Sequence, residues 1–186
     1  MTVGFAFCGS FCTYAQVFPV MEELAGQHKV IPIFSAVSGA TDSRFGNAAD
    51  FLRKAEAICG IPPLLTIPDA EPIGPKKLLD VLVIAPCTGN TLAKLAHSIA
   101  DTPVTMAAKS HLRNGRPVVV AVSTNDGLAG AAENIGKLMG RKHYFFVPFG
   151  QDDPKGKPTS LIADFTRIAQ TIEAAMDARQ IQPVLI

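Results

Sequence analysis

Three short stretches gather side chains able to hold an anion or a polar ligand: Cys8-Gly9-Ser10-Phe11-Cys12-Thr13, Ala85-Pro86-Cys87-Thr88-Gly89-Asn90-Thr91 and Ser123-Thr124-Asn125-Asp126-Gly127. In the first, Gly9 lets the backbone turn sharply or approach a ligand. Free amides at the start of a following helix, with a dipole worth about half a charge, attract phosphate. An ordinary tight turn with a serine cap reads the same residues equally well. The second stretch carries more hydroxyl and amide groups in Thr88, Asn90 and Thr91 than one helix start needs, which favours a ligand. The third has similar chemistry, and a plain Asx-type turn explains it equally well. No Gly-x-Gly-x-x-Gly and no Gly-Lys-Ser/Thr occurs in the chain, so neither a dinucleotide nor a nucleoside triphosphate has a fingerprint here.

The segments around these stretches predict how they are positioned. Val3 to Cys8 reads as a first strand, and Tyr14 to Leu24 as a helix with Val17, Val20, Met21 and Leu24 at helical spacing. Lys29 to Ser35 reads as a second strand, Ala48 to Ile58 as a helix, and Leu64 to Ile67 as a brief extended piece. Pro68 to Lys77, rich in proline, is expected to be loop. Leu79 to Ala85 is apolar almost throughout and predicts a strand closed by Pro86. Leu92, Leu95, Ala96 and Ile99 then form the stripe of a helix packed on a sheet. Further expectations are a helix at 104–111, a strand at 117–122, a partly helical stretch at 127–139, a strand at 144–147, a loop at 148–158 and a last helix from Ser160 to about Arg179. Strands alternating with helices argue an α/β fold: a Rossmann-like doubly wound parallel sheet with helices on both faces, in a single domain spanning 1–186. In such folds ligands bind beyond the carboxyl ends of the strands, where all three stretches fall.

Composition narrows the partners. With 186 residues the chain can bury roughly 70% of its unfolded surface in one core. Its 17 basic and 16 acidic residues are scattered, so no electrostatic footprint for nucleic acid or an anionic membrane is expected. The longest apolar runs fall far short of the roughly 20 residues that span a bilayer, and no basic segment precedes the first apolar run. A cytoplasmic location follows as the expectation. Cys8, Cys12, Cys59 and Cys87 form no Cys-x-x-Cys pair, so no metal site is expected.

The segment Val83 to Asp101, with Pro86-Cys-Thr-Gly-Asn90-Thr91 at its turn, resembles the Pro-x-x-x-Asn-Thr segment of the homo-oligomeric flavin-containing cysteine decarboxylase superfamily. The run from Ala131 to Leu138 resembles the helix after the next strand in those proteins. The superfamily includes phosphopantothenoylcysteine decarboxylases and flavin prenyltransferases, and the likeness covers nearly the whole chain. It implies FMN as cofactor, with the phosphate on Gly9, Ser10, Phe11 and their amides and on Ser35. It further implies the ribityl chain or ring at Pro86, Cys87, Thr88, Asn90 and Thr91, and Ser123 approaching from the next strand. Asn125 matches the asparagine with which the decarboxylases grip a substrate carboxylate. Their catalytic histidine has no counterpart between Ala36 and Gly60. For assembly the superfamily implies a homo-oligomer, a trimer or dodecamer. Tyr144 to Pro158 is most similar to a branch of the superfamily from sporulating bacteria. That branch implies a part in forming pyridine-2,6-dicarboxylate from a tetrahydrodipicolinate-type precursor, beside a nicotinamide-binding partner protein.

Asn125 and Cys87 are the candidates for a catalytic part, and Asn125, Lys155 and Lys157 those for binding a dicarboxylate. The loop carrying the two lysines reads equally well as a solvated loop. The four histidines have no neighbouring carboxylate or serine in sequence that suggests a triad, and are expected at the surface or an interface. Cys8 and Cys87 are expected at adjoining strand ends. Two alternatives stay open: a decarboxylase or prenyltransferase on the same fold, and a non-catalytic binding or assembly protein.

Overall fold

The computed structural model describes residues 1–186. The chain runs β1 (Thr2–Phe7), α1 (Tyr14–Ala25), β2 (Lys29–Phe34), α2 (Ala36–Ala40), α3 (Ala48–Cys59), α4 (Ile67–Ala70), β3 (Val81–Cys87), α5 (Gly89–Ala96) and α6 (Pro103–Leu112). It continues through β4 (Val118–Thr124), α7 (Ala132–Met139), β5 (Tyr144–Phe146), β6 (Phe149–Gly150), β7 (Leu161–Ala163) and α8 (Ile168–Met176). Strands β2, β1, β3, β4 and β5 are parallel neighbours in that order. At its far end β4 pairs antiparallel with β7, and β7 with β6, so the sheet is mixed rather than wholly parallel. Helices α1, α3 and the turn into α8 make one layer, and α4, α5, α6 and α7 the other. This is the α/β, Rossmann-like, doubly wound arrangement expected, with an antiparallel pair added. No helix is long and apolar enough to cross a membrane.

The central strands explain this layering. β3 is buried along its whole length and β1 from Val3 onward, as strands covered on both faces must be. Phe7 stands at the centre of one layer, its ring 4.7 Å from Phe34 and 4.9 Å from Phe18. Gly4 is needed because a Cβ there would lie 2.5 Å from a Leu79 methyl.

Several boundaries differ from the sequence expectation. The last helix begins at Ile168, not Ser160, because Leu161-Ile162-Ala163 alternates buried and half-buried and pairs with β4. Asp164 caps the turn that follows, accepting the Thr166 amide at 3.1 Å. Pro68 to Lys77 is not plain loop. Thr66 and Asp69 form a reciprocal cap that starts α4, and a 3-10 turn continues it over Glu71–Ile73. β3 passes through Pro86 to Cys87, with its register against β4 shifting between Ile84 and Cys87, where proline offers no donor to the ladder. Helix α5 stops at Ala96, where Ser98 takes a left-handed backbone (φ 60°) and the Ile99 amide bonds back to the Lys94 carbonyl at 2.9 Å; Arg141 binds the carbonyls of Leu95 and Ala96 at 3.1 and 2.7 Å, and Ile99 is exposed.

His111 is also not at the surface: it is wholly buried on α6. Its Nε2 lies 3.1 Å from the Pro117 carbonyl, which only accepts, so the proton sits on Nε2 and Nδ1 is left buried without a partner. Burial lowers its pKa from 6.5 to about 4, against the opposing pull of the Pro117 carbonyl. The unfolded chain therefore takes up this proton near 6.5 and the folded chain only near 4. Stability is complete above that window and falls as pH drops through it, by about 3 kcal/mol. Urea titrations at neutral pH and near the lower limit should show this loss, and His111→Asn should lack that share of it.

Candidate functional site

The three polar stretches meet at the carboxyl end of the sheet, and specific bonds hold them together. The Ser10 hydroxyl donates to the Ser123 carbonyl at 2.7 Å, joining the turn after β1 to the end of β4. The Thr91 hydroxyl donates to the Cys8 sulfur at 3.3 Å, joining the turn after β3 to β1. Gly89 closes the third side, since a Cβ there would stand 2.7 Å from both Thr124 Oγ1 and Asp126 Oδ1. Between these turns lies a cleft of about 470 Å³, within the roughly 300–1,000 Å³ usual for small-molecule sites.

Of the residues singled out from sequence, Gly9, Ser10 and Phe11 line one wall and Thr88 and Asn90 a second. Ser123, Asn125 and Lys157 line it as well. The structure does not bring the others to it. Ser35 caps α2, its Oγ accepting the Ser38 amide at 3.1 Å and pairing with the Ser38 hydroxyl at 2.9 Å. Thr91 turns inward to Cys8 and Thr88. Pro86 is buried in β3, and Cys87 beside it is fully enclosed. Burial pushes the Cys87 thiol well above its ordinary pKa, and the neighbouring Cys8 adds to this. Cys8 itself is pushed up to about 11 by burial. These two thiols are packing atoms beneath the cleft, and Cys87 has no route to a ligand. Lys155 is exposed and lies off the cleft.

Several lining residues had no distinct sequence signal: Ser43 and Phe45 from the turn after α2, and Ser160, Leu161 and Ile162 from β7 and its approach. Asp126 and Asp152 were visible in sequence only as turn and loop residues. The Thr124 hydroxyl donates to Asp126 at 2.5 Å. Asp152 accepts from Lys157 Nζ at 3.0 Å. The Ser160 hydroxyl first, and then Lys157, hold the Asp152 carboxyl below the usual carboxylate range.

The wall after β1 suits an anion. Phe11–Thr13 forms a 3-10 turn ahead of α1, and the amides of Ser10, Phe11 and Cys12 have no acceptor within the protein. Three neighbouring free backbone donors are groups from which an anion can accept. The start of α5 differs. The amides of Gly89 and Asn90 are likewise free, while Thr88 caps Thr91 at 3.3 Å and the Asp126 carboxylate packs against Gly89. A phosphate is therefore matched by the β1 wall and opposed by Asp126 on the β3 side. The hydroxyl and amide groups of Thr88 and Asn90 fit an uncharged polyol or ring edge.

The chain as a whole has known relatives. The Flavoprotein family's sequence profile matches residues 2–173. The chain is 46% identical over 185 residues to the B subunit of dipicolinate synthase from Bacillus subtilis (strain 168), covering 99% of this chain and 92% of that one. It superposes on the crystal structure of the B subunit of dipicolinate synthase from Bacillus halodurans C with a TM-score of 0.91 at 47% identity, covering 100% and 95% of the two chains. It superposes on the FMN-dependent cysteine decarboxylase SpaF with a TM-score of 0.70 at 25% identity, covering 94% and 97%. The chain belongs to the Flavoprotein family.

Proposed function

We propose that the chain binds FMN in this cleft and serves as the flavoprotein component of a dipicolinate synthase. With a nicotinamide-binding partner, the A subunit of dipicolinate synthase, it takes part in making pyridine-2,6-dicarboxylate during sporulation, from a tetrahydrodipicolinate-type precursor. The observation that carries the FMN reading is the group of unpaired amides at Ser10, Phe11 and Cys12, three residues that line the cleft. The substrate reading rests on the relatives' names at nearly full coverage.

In this reading Ser10, Phe11 and Cys12 hold the phosphate, and Thr88, Asn90 and Ser123 the ribityl chain or ring. Asn125 and Lys157 face the substrate's carboxylates. When bound, FMN supplies redox capacity at its ring. The chain's own part is to orient the ligands and to restrict water around them. Cys87 drops out as a catalytic candidate and Asn125 stays. A homo-oligomer, trimer or dodecamer, is part of the proposal, and the exposed Ile99, Leu128 and Met139 supply apolar surface for it.

A decarboxylase or prenyltransferase on this fold is a second reading. No histidine lines the cleft, which favours the synthase over a decarboxylase that relies on one. The third reading is a non-catalytic assembly protein. Dipicolinate formation by the nicotinamide-binding partner alone, by that partner with this chain, and by that partner with the FMN-loaded chain separates the three. The synthase reading expects a rate increase of at least about tenfold, which needs both chain and FMN. Turnover without the partner supports the second reading, an FMN-independent increase the third, and no effect of the chain removes the first.

A further inference from the structure

The loop between β6 and β7 brings a carboxylate of the chain itself to the cleft's cation. Lys157 is the only lysine or arginine lining the cleft, and its Nζ lies 3.0 Å from Asp152 Oδ2. Ser160 is 3% exposed, with its hydroxyl 3.5 Å from Asn125 Oδ1, and Asp152 also borders this group. The loop fixes the backbone of Lys157. Its amide donates to the Asp153 carbonyl at 2.7 Å, and the Gly156 amide donates to the Asp153 carboxylate at 2.8 Å. Asp153 thus builds the turn, while Asp152 faces the ammonium.

We propose that Lys157, Ser160 and Asn125 form a carboxylate subsite and that Asp152 is its intramolecular occupant, which a ligand carboxylate must displace. The proposal rests on the dicarboxylate reading above and deepens it. The Lys157 ammonium, the Ser160 hydroxyl and the Nδ2 of Asn125, whose Oδ1 accepts from Ser160, are donor types from which a carboxylate accepts. The formal charges also point to displacement. Asp152 is paired with the one cation among the lining residues, so a ligand carboxylate can take Lys157 only in its place. The Lys157 side chain is 55% exposed and that of Asp152 25%, and a single pair this open to solvent adds little to stability, so Asp152 can be changed without loss of the fold. Asp152 then sets both affinity and selectivity: a ligand bearing one carboxylate gains less from evicting it than a ligand bearing two.

The test is calorimetric titration of the purified chain and of its Asp152→Asn, Lys157→Gln and double variants with pyridine-2,6-dicarboxylate and with pyridine-2-carboxylate. Circular dichroism verifies that each variant is folded. Asp152→Asn should bind the dicarboxylate roughly tenfold tighter, Lys157→Gln should bind it roughly tenfold weaker, and the double variant should match Lys157→Gln. Unchanged affinity in Asp152→Asn, with Lys157→Gln weakened, overturns the displacement while leaving the dicarboxylate reading intact. Unchanged affinity in Lys157→Gln overturns the subsite. Absence of dicarboxylate binding in every variant overturns the proposal and the reading beneath it.

Discussion

Replacing Ser10 by aspartate is expected to abolish FMN retention while leaving the chain folded. Ser10 carries one of three successive unpaired amides, and its side chain reaches across to the Ser123 carbonyl. A carboxylate within about 4 Å of a phosphate, at an effective dielectric near 20, costs about 4 kcal/mol, a loss of roughly a thousandfold in affinity. The control is riboflavin, which lacks the phosphate and should be affected far less. Ser10→Ala separates the lost bond to Ser123 from the added charge. Equilibrium dialysis followed by flavin absorbance reads all of these. Equal losses for FMN and riboflavin in Ser10→Asp would remove the phosphate from the wall after β1.

The largest effect on stability is expected from Phe7→Ala. The Phe7 side chain is wholly buried, and its ring meets Phe34, Phe18, Tyr14 and Phe5 with centroids 4.7 to 5.3 Å apart. Its carbonyl is bonded as well, accepting from the Ser35 amide at 3.0 Å and the Ser38 hydroxyl at 2.9 Å. Removing the ring leaves a cavity that close-packed neighbours on β1, β2 and α1 can fill only in part. Substitutions of this kind cost about 3–5 kcal/mol, against a total stability of about 5–15 kcal/mol. The thermal midpoint should fall by roughly 10 °C. A loss below about 1 kcal/mol in urea titration would mean that this cluster is not the packing centre of its layer. Because Phe7 leads directly into Cys8, Gly9 and Ser10, flavin retention should weaken in the same variant.

The sequence was most legible where burial imposes one period. Leu79 to Ala85 reads as a strand because both faces are covered, and the strand found is Val81–Cys87; α1 reads as a helix because its buried Val17, Met21 and Leu24 recur at helical spacing. It was least legible where one short segment fits two periods. Leu161 and Phe165 fall four residues apart and suit a helical stripe, yet Leu161 belongs to a strand and Phe165 to a 3-10 turn. Pairing with the end of β4 decides between them, and that partner lies far away in sequence. His111 was missed for the same reason. Its burial follows from the packing of α6 against the sheet and the Glu71–Ile73 turn, with the Pro117 carbonyl as partner.

By itself the sequence determined the alternation of strands and helices, and with it the placing of three polar turns at one end of a doubly wound sheet. That much follows from local periodicity and from the crossover that parallel strands require. The tertiary structure alone decided which side chains face the cleft. Ser35 and Thr91 are spent on capping and fastening, and Pro86 and Cys87 are buried within β3. Asp152 and Lys157 meet at the cleft because the antiparallel β6 and β7 carry their loop there. A residue's type fixes which bonds it can make, but which partner it finds depends on elements distant in the chain, and only the packed fold sets those distances.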